Sequence, residues 1–154
     1  MNFALDRLAK ELAIAEPVNE RLRLEFGYAC ALRVQHLLEQ PEVEQCLLGL
    51  GEFLAGVTDR EHLSALAVEA VRLANHHQGS KSIDGCGHAA VSASYAVAKA
   101  VEGKALEAAS YAAYATVYAQ GGSPAVAERA SFEPEFEWQL RSLAALASQT
   151  AARV

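Results

Sequence analysis

Histidine, serine and tyrosine side chains recur at helical spacing in the second half of the chain. Intervals of four, three and four residues place one group on a single face of a predicted helix: His88, Ser92, Tyr95 and Lys99. The next predicted helix repeats the pattern with Tyr111, Tyr114 and Tyr118. Should the two faces converge, they would form a polar groove lined by aromatic rings, which suits partner recognition or a small ligand. The alternative is amphipathic packing, in which the rings only fill space.

A second group of side chains has the chemistry of metal ligands. Imidazole and thiolate bind zinc, and four such residues lie close together in sequence: His76, His77, Cys86 and His88. Their spacing matches no common paired-ligand motif, and adjacent histidines point about 100° apart on a helix. The Glu-x-x-His pairs of a di-iron bundle are absent as well. We therefore predict no metal and no other cofactor.

Motifs for nucleophilic catalysis are missing from the sequence. It contains no Gly-x-Ser-x-Gly, no P-loop and no G-x-G-x-x-G after a strand. Cys86 lies near a predicted helix start, where a thiolate would be stabilised, but His88 is only two residues away and would not face it. The sequence therefore predicts a protein that is not an enzyme.

Acidic and aromatic residues alternate where the last predicted helix begins. The segment carries Glu133, Glu135 and Glu137 together with Phe136 and Trp138. Acids in a first turn favour the helix dipole, and the alternative is a patch that binds a basic partner. Phe136 shares the helical spacing of Leu140 and Leu143 on the face that is expected to point to the core. Trp138 is therefore expected to be the more exposed aromatic residue, flanked by carboxylates. Should Trp138 prove to be a core residue, the tyrosine face is the next candidate interface.

Helical spacing of apolar residues runs through the whole chain, with no strand alternation. It predicts helices over about residues 3–15, 19–39, 41–55, 84–101 and 104–119, with two more starting at a capping box, Thr58–Glu61, and at Glu133. The fourth helix reaches about His77, and residues 78–82 read as an exposed polar loop. Gly121-Gly122 ends the sixth helix, and Ser123-Pro124 starts a short turn.

Alanine accounts for 32 of the 154 residues, and most of it follows residue 88. Helices whose side chains are small and apolar on nearly every face are buried. Residues 84–119 are therefore expected to form two central helices in close contact. The sequence thus predicts one all-α domain over residues 1–154, a bundle of six or seven helices around this pair.

The charge balance narrows the class of partner. The formal net charge is −6, so nucleic acid and anionic membranes are poor partners, whereas a basic protein would be attracted. Three cysteines without a CxxC pair favour a reducing compartment, and the N-terminus has no secretory h-region. No stretch is long and apolar enough to cross a bilayer. We expect a cytoplasmic protein, and its oligomeric state stays open.

Four segments carry a likeness to a known family: Ala29–Glu39, Gly87–Ser94, Glu107–Ala115 and Glu137–Leu143. The Gly-His-Ala, Ala-Ala-Tyr-Ala and Trp-Gln-Leu runs within them resemble all-helical immunity proteins of bacterial polymorphic-toxin systems. Tyr95 falls near the place where that family often has a second histidine. The resemblance implies a cytoplasmic bacterial protein that binds and neutralises a cognate toxin without catalysis. The alternative function is a small helical enzyme or ligand-binding domain that uses the His88 and tyrosine groove.

Overall fold

The computed structural model describes residues 1–77 and 86–152 of the chain. Within these ranges it contains seven α-helices, three short 3-10 turns and no strand, which confirms the predicted all-α bundle. The helices are α1 (Phe3–Glu11), α2 (Glu20–Arg33), α3 (Pro41–Leu54), α4 (Arg60–Asn75), α5 (Cys86–Val101), α6 (Ala105–Val126) and α7 (Glu133–Ala152). The 3-10 turns span Pro17–Asn19, Gln35–Leu37 and Arg129–Phe132.

Helices α5 and α6 form the centre of the bundle. They make the most extensive contact between any two helices, and both also pack on α2. Ala93 and Ala112 are fully buried, as most alanines of this pair are. A Cβ placed on Gly27 of α2 would lie 3.2 Å from the Cα of Ala100, so the α2 and α5 backbones touch there. Small residues therefore permit the close helix approach that the composition predicts.

Two large apolar clusters lie on either side of the central pair. One joins α3 and α4 to α5 around Val43, Leu47 and Leu50. The other joins α1, α2 and α7 to α6 around Phe26 and Leu143. Because the second cluster brings the two ends of the chain together, α1 and α7 lie in contact. No helix in the described part of the chain combines the length and the apolar character needed to cross a bilayer.

The predicted break after residue 120 is present. Gly122 has φ 65° and ψ −161°, in the left-handed region, so α6 kinks there before continuing to Val126. Pro124 lies just after the kink, where its missing N–H costs no helical hydrogen bond. Other ends differ from prediction: α1 ends at Glu11, and α2 ends at Arg33 and not near residue 39.

The cap of α4 lies one residue later than predicted. Asp59 Oδ1 accepts a hydrogen bond from the backbone N–H of His62 at 2.9 Å, so Asp59 is the N-cap. Thr58 Oγ1 is buried and makes no hydrogen bond within the described residues. The predicted polar loop, residues 78–82, lies outside the described residues, as does the end of the C-terminal tail, residues 153–154.

Candidate functional site

The two predicted polar faces meet where α5 packs on α6. The rings of His88 and Tyr118 are stacked with centroids 5.1 Å apart, and the rings of Tyr95 and Tyr111 are stacked at the same separation. Both pairs fit one antiparallel register of α5 and α6. Tyr95 lies seven residues after His88, and its partner Tyr111 lies seven residues before Tyr118. In the sequence, these side chains are related only by their helical spacing. The structure brings them into contact.

Polar contacts extend this pairing along both helices. The Tyr95 hydroxyl donates a hydrogen bond to Asn75 Oδ1 at 2.8 Å. Lys99 Nζ lies 3.4 Å from Glu107 Oε2 and so links α5 to α6 beyond the tyrosines. Ser92 is half-buried, one helical turn from both ring pairs. Paired side chains therefore occupy the interface between the two faces.

A row of aromatic rings leads from this interface to the start of α7. Tyr118 lies 6.4 Å from Tyr114, whose ring meets Phe132 edge to face at 5.1 Å. Phe132 in turn lies 5.4 Å from Phe136. Phe132 is buried, whereas Tyr114 keeps 42% of its surface exposed. We call these five residues, from His88 to Phe136, the ring row.

A cleft of about 230 Å³ opens at the α7 end of the ring row. Its lining combines three aromatic rings and three polar side chains with one methionine and one alanine: Tyr114, Phe132, Phe136, Asn2, Ser110, Gln139, Met1 and Ala113. These residues come from the N-terminus, α6, the turn before α7, and α7 itself. We call it the Tyr114 cleft.

Gln139 provides a buried polar group in the Tyr114 cleft. Only 1% of its surface is exposed, and its Nε2 donates to the carbonyl oxygen of Ala109 at 2.8 Å. That bond fixes the amide, whose Oε1 lies 3.5 Å from Asn2 Nδ2, at the limit of a hydrogen bond. Because an amide oxygen has two lone pairs, Gln139 Oε1 retains capacity to accept from a bound group.

The buried face of α7 is offset from its predicted position. Glu135, Gln139 and Leu143, each four residues apart, are buried. Phe136 and Leu140, predicted to face the core, are half-buried instead. Two polar residues occupy the inner stripe because their partners lie on other helices, which an apolar pattern does not reveal.

Glu135, predicted to lie in an exposed acidic patch, is a buried ion-pair residue with 4% of its surface exposed. Arg33 binds its carboxylate twice, through Nε at 3.1 Å and Nη2 at 2.6 Å, and this hydrogen bonding raises the pKa of Arg33. The guanidinium carbon also lies 4.2 Å from the centroid of the Trp138 ring. Trp138, predicted to be exposed, is half-buried and packs on the cluster around Phe26. Glu135 and Trp138 thus help to hold α7 against the rest of the bundle.

Glu133 and Glu137 remain exposed and lie one helical turn apart. Offsets of three and one residues place both on the side of Phe136 that faces away from Gln139, and neither is among the residues that line the Tyr114 cleft. Neither carboxylate takes part in an ion pair within residues 1–77 and 86–152. Two of the three acidic residues of the predicted patch are therefore exposed, whereas Glu135 is buried.

The residues that the sequence analysis considered as metal ligands do not form a cluster in the described part of the chain. There, no group of three or more His, Cys, Asp or Glu side chains is arranged to hold a metal ion. His76 Nδ1 lies 2.7 Å from the carbonyl oxygen of Arg72, and His77 Nε2 lies 3.8 Å from Glu39. The Cys86 side chain lies outside the described residues.

Cys30 and Cys46 are buried, free thiols. Burial raises the pKa of both, that of Cys46 to about 11, so each is held as a neutral thiol. A nucleophilic or metal-binding cysteine needs the thiolate. These two residues are therefore packing residues of the core.

The fold and the site together define an all-α bundle with a partly exposed row of aromatic rings that ends in a small cleft. Comparison of the chain with protein-family models, with curated proteins and with solved structures gave no match. Its function must therefore be argued from the site itself.

Proposed function

We propose that this protein is a cytoplasmic bacterial immunity protein that binds a cognate toxin and neutralises it without catalysis. The ring row is the observation that carries the proposal. Tyr114 and His88 are the exposed members of the row, and a buried ring, Phe132, supports Tyr114 from the side. Rigid, partly exposed tyrosines of this kind are typical of the energetic centres of protein interfaces.

Charge favours a basic partner. The chain carries a net charge of −6, and Glu133 and Glu137 place two exposed carboxylates at the start of α7. A field of this sign speeds encounter with a basic protein, while the aromatic centre slows dissociation. The immunity-family resemblance of the sequence supplies the kind of partner, a toxin.

The alternative proposal, a small enzyme or ligand-binding domain in the groove between α5 and α6, has less support. Stacked rings, His88 on Tyr118 and Tyr95 on Tyr111, occupy the space that a substrate would need. The Tyr95 hydroxyl is also engaged with Asn75.

Toxicity rescue tests the proposal. The reading frame adjacent to this gene is expressed in a bacterial host from an inducible promoter, with and without this protein. We expect growth arrest by the neighbouring product alone and normal growth on coexpression. The variant Tyr114→Ala tests the ring row in the same assay. It should fold normally by circular dichroism and protect poorly. A harmless neighbouring product, or arrest that coexpression does not relieve, would overturn the proposal.

A further inference from the structure

The Tyr114 cleft has room for one aromatic ring. At about 230 Å³ it is smaller than the roughly 300–1,000 Å³ of pockets that hold drug-sized ligands. Three of its lining rings, those of Tyr114, Phe132 and Phe136, follow one another at 5.1 and 5.4 Å. Aromatic rings favour one another at these separations, so a further ring in the cleft would extend the ring row.

A buried acceptor in the cleft is poorly satisfied. Only 1% of Gln139 is exposed, and because its Nε2 donates to Ala109, its Oε1 is the amide atom on the side of the cleft residue Asn2. Within the described residues Oε1 accepts one hydrogen bond, from Asn2 Nδ2, and at 3.5 Å that bond is at its limit. Asn2 Nδ2 also donates to the carbonyl oxygen of Phe136 at 3.4 Å. A group that brings a better donor to Oε1 would therefore be stabilised there.

The charges at the cleft favour neither a cation nor an anion. Among the described residues that line it there is no carboxylate, and Met1, which carries the N-terminal ammonium, is one of them. A cation would therefore be repelled. The oxygen atoms of an anion would face the amide oxygen of Gln139, in a chain whose net charge is −6. The occupant that fits this lining is uncharged.

We infer that the Tyr114 cleft binds an uncharged aromatic ring that carries a hydrogen-bond donor, as a phenol or an indole does. The ring packs against Tyr114 and Phe136, and its O–H or N–H donates to Gln139 Oε1. The hydroxyl of Ser110, another lining residue, is a donor for a phenol oxygen. A mostly aromatic wall with a few placed polar groups is typical of ligand sites. This assignment goes beyond the proposed function and does not depend on a toxin.

A titration with p-cresol, which is the tyrosine side chain as a free molecule, tests the inference. Binding is followed by ¹H–¹⁵N correlation spectra of the whole chain. We expect a Kd in the millimolar range, with shifts confined to the side-chain amides of Gln139 and Asn2 and to backbone amides around Tyr114. Toluene has the ring without the donor, and methylcyclohexanol has the donor without the aromatic ring. Each should bind at least about fivefold more weakly than p-cresol.

Three variants separate the cleft from other rings of the bundle. Tyr114→Ala removes a wall and should abolish the shifts, whereas Tyr95→Ala, the same change at a ring outside the cleft, should change the Kd by less than about twofold. Gln139→Met removes the acceptor at similar size and should reduce the affinity for p-cresol to that for toluene. The probe series on the wild type gives the same comparison if Gln139→Met fails to fold.

Three results would overturn the inference: equal binding of p-cresol and toluene, equal binding of p-cresol and the benzylammonium cation, or no shift at the cleft over the whole titration. N-acetyl-tyrosinamide separates two sources of the ring. If it shifts the same amides, the cleft accepts a tyrosine side chain of a protein partner. If p-cresol alone does so, the cleft is a site for a free molecule. Failure of the toxicity rescue would overturn the proposed function and leave this assignment standing.

Discussion

Arg33 and Glu135 lie 102 residues apart in sequence, yet they form a two-point ion pair that fixes the start of α7 to the end of α2. The two residues differ in exposure, because Glu135 is buried while 38% of the Arg33 side chain is exposed. The asymmetry determines which of the two is harder to remove, since a carboxylate left alone in the interior has no water to replace its partner.

Removing Arg33 should therefore cost more stability than neutralising Glu135. We expect Arg33→Met to lower the free energy of unfolding by about 2 kcal/mol, below the 3–5 kcal/mol of fully buried pairs because Arg33 is partly solvated. Glu135→Gln should cost less, since Arg33 can turn to solvent. Urea unfolding followed by circular dichroism measures both.

The exposed ion pair between Arg72 and Glu69 on α4 is the matched control for that measurement. Arg72→Met should leave the urea midpoint unchanged within error, because exposed pairs contribute little. Equal effects of Arg33→Met and Arg72→Met would show that Glu135 is not held in a buried environment.

Trp138 should behave as a stability residue. Trp138→Ala removes a half-buried ring on which Arg33 stacks, and we expect a loss of about 2–3 kcal/mol in unfolding free energy. A thermal melt reports the loss. An unchanged melting temperature combined with weaker toxin binding would instead return Trp138 to the interface.

The two alanine-rich helices leave no room for larger side chains. Ala93→Leu and Ala112→Leu, both at fully buried positions, should each cost about 1–3 kcal/mol through overpacking. Ala65→Leu, the same change at an exposed position of α4, should be nearly neutral. Wild-type urea midpoints for both buried variants would mean that α5 and α6 are not central.

Buried thiols should make the protein less stable in alkali. The pKa of Cys46 is raised from 9.0 to about 11, so the unfolded chain loses its thiol proton first. The stabilisation is full below pH 9 and is lost between about pH 9 and 11, with a loss of about 1 kcal/mol at pH 10.

Urea unfolding at pH 8 and pH 10 checks the alkaline effect. The wild type is compared with Cys46→Ala, because other groups that titrate in this range are common to both proteins. A smaller loss of stability at pH 10 in the variant is expected. Equal losses would show that the Cys46 thiol ionises as readily in the folded protein as in the unfolded chain.

Helical periodicity was sufficient to predict most of the fold. The alanine-rich stretch after residue 88 predicts the central helix pair, and the glycine pair predicts a helix end at the place where the structure has the kink at Gly122. Regular spacing also places His88 and Tyr118 on faces that meet. These features depend on local pattern, which is what a single sequence contains.

The inner face of α7 could not be predicted in the same way. Glu135 and Gln139 read as solvent-facing residues until Arg33 and Ala109, on α2 and α6, are seen to satisfy them. The apolar pattern therefore placed Leu143 in the core correctly, but it assigned Phe136 and Leu140 there and left out Glu135 and Gln139. The Tyr114 cleft escaped prediction for a related reason, since Asn2 and Phe136 are at opposite ends of the chain.

The affinity of the toxin for the Tyr114→Ala variant tests the central claim most directly. Isothermal titration of the purified neighbouring gene product should give a Kd at least about 30-fold weaker than for the wild type, a loss of about 2 kcal/mol. Val68→Ala, at an exposed apolar position of α4, is the control and should bind as the wild type does. An unchanged Kd for Tyr114→Ala would contradict the claim that the ring row is the binding surface.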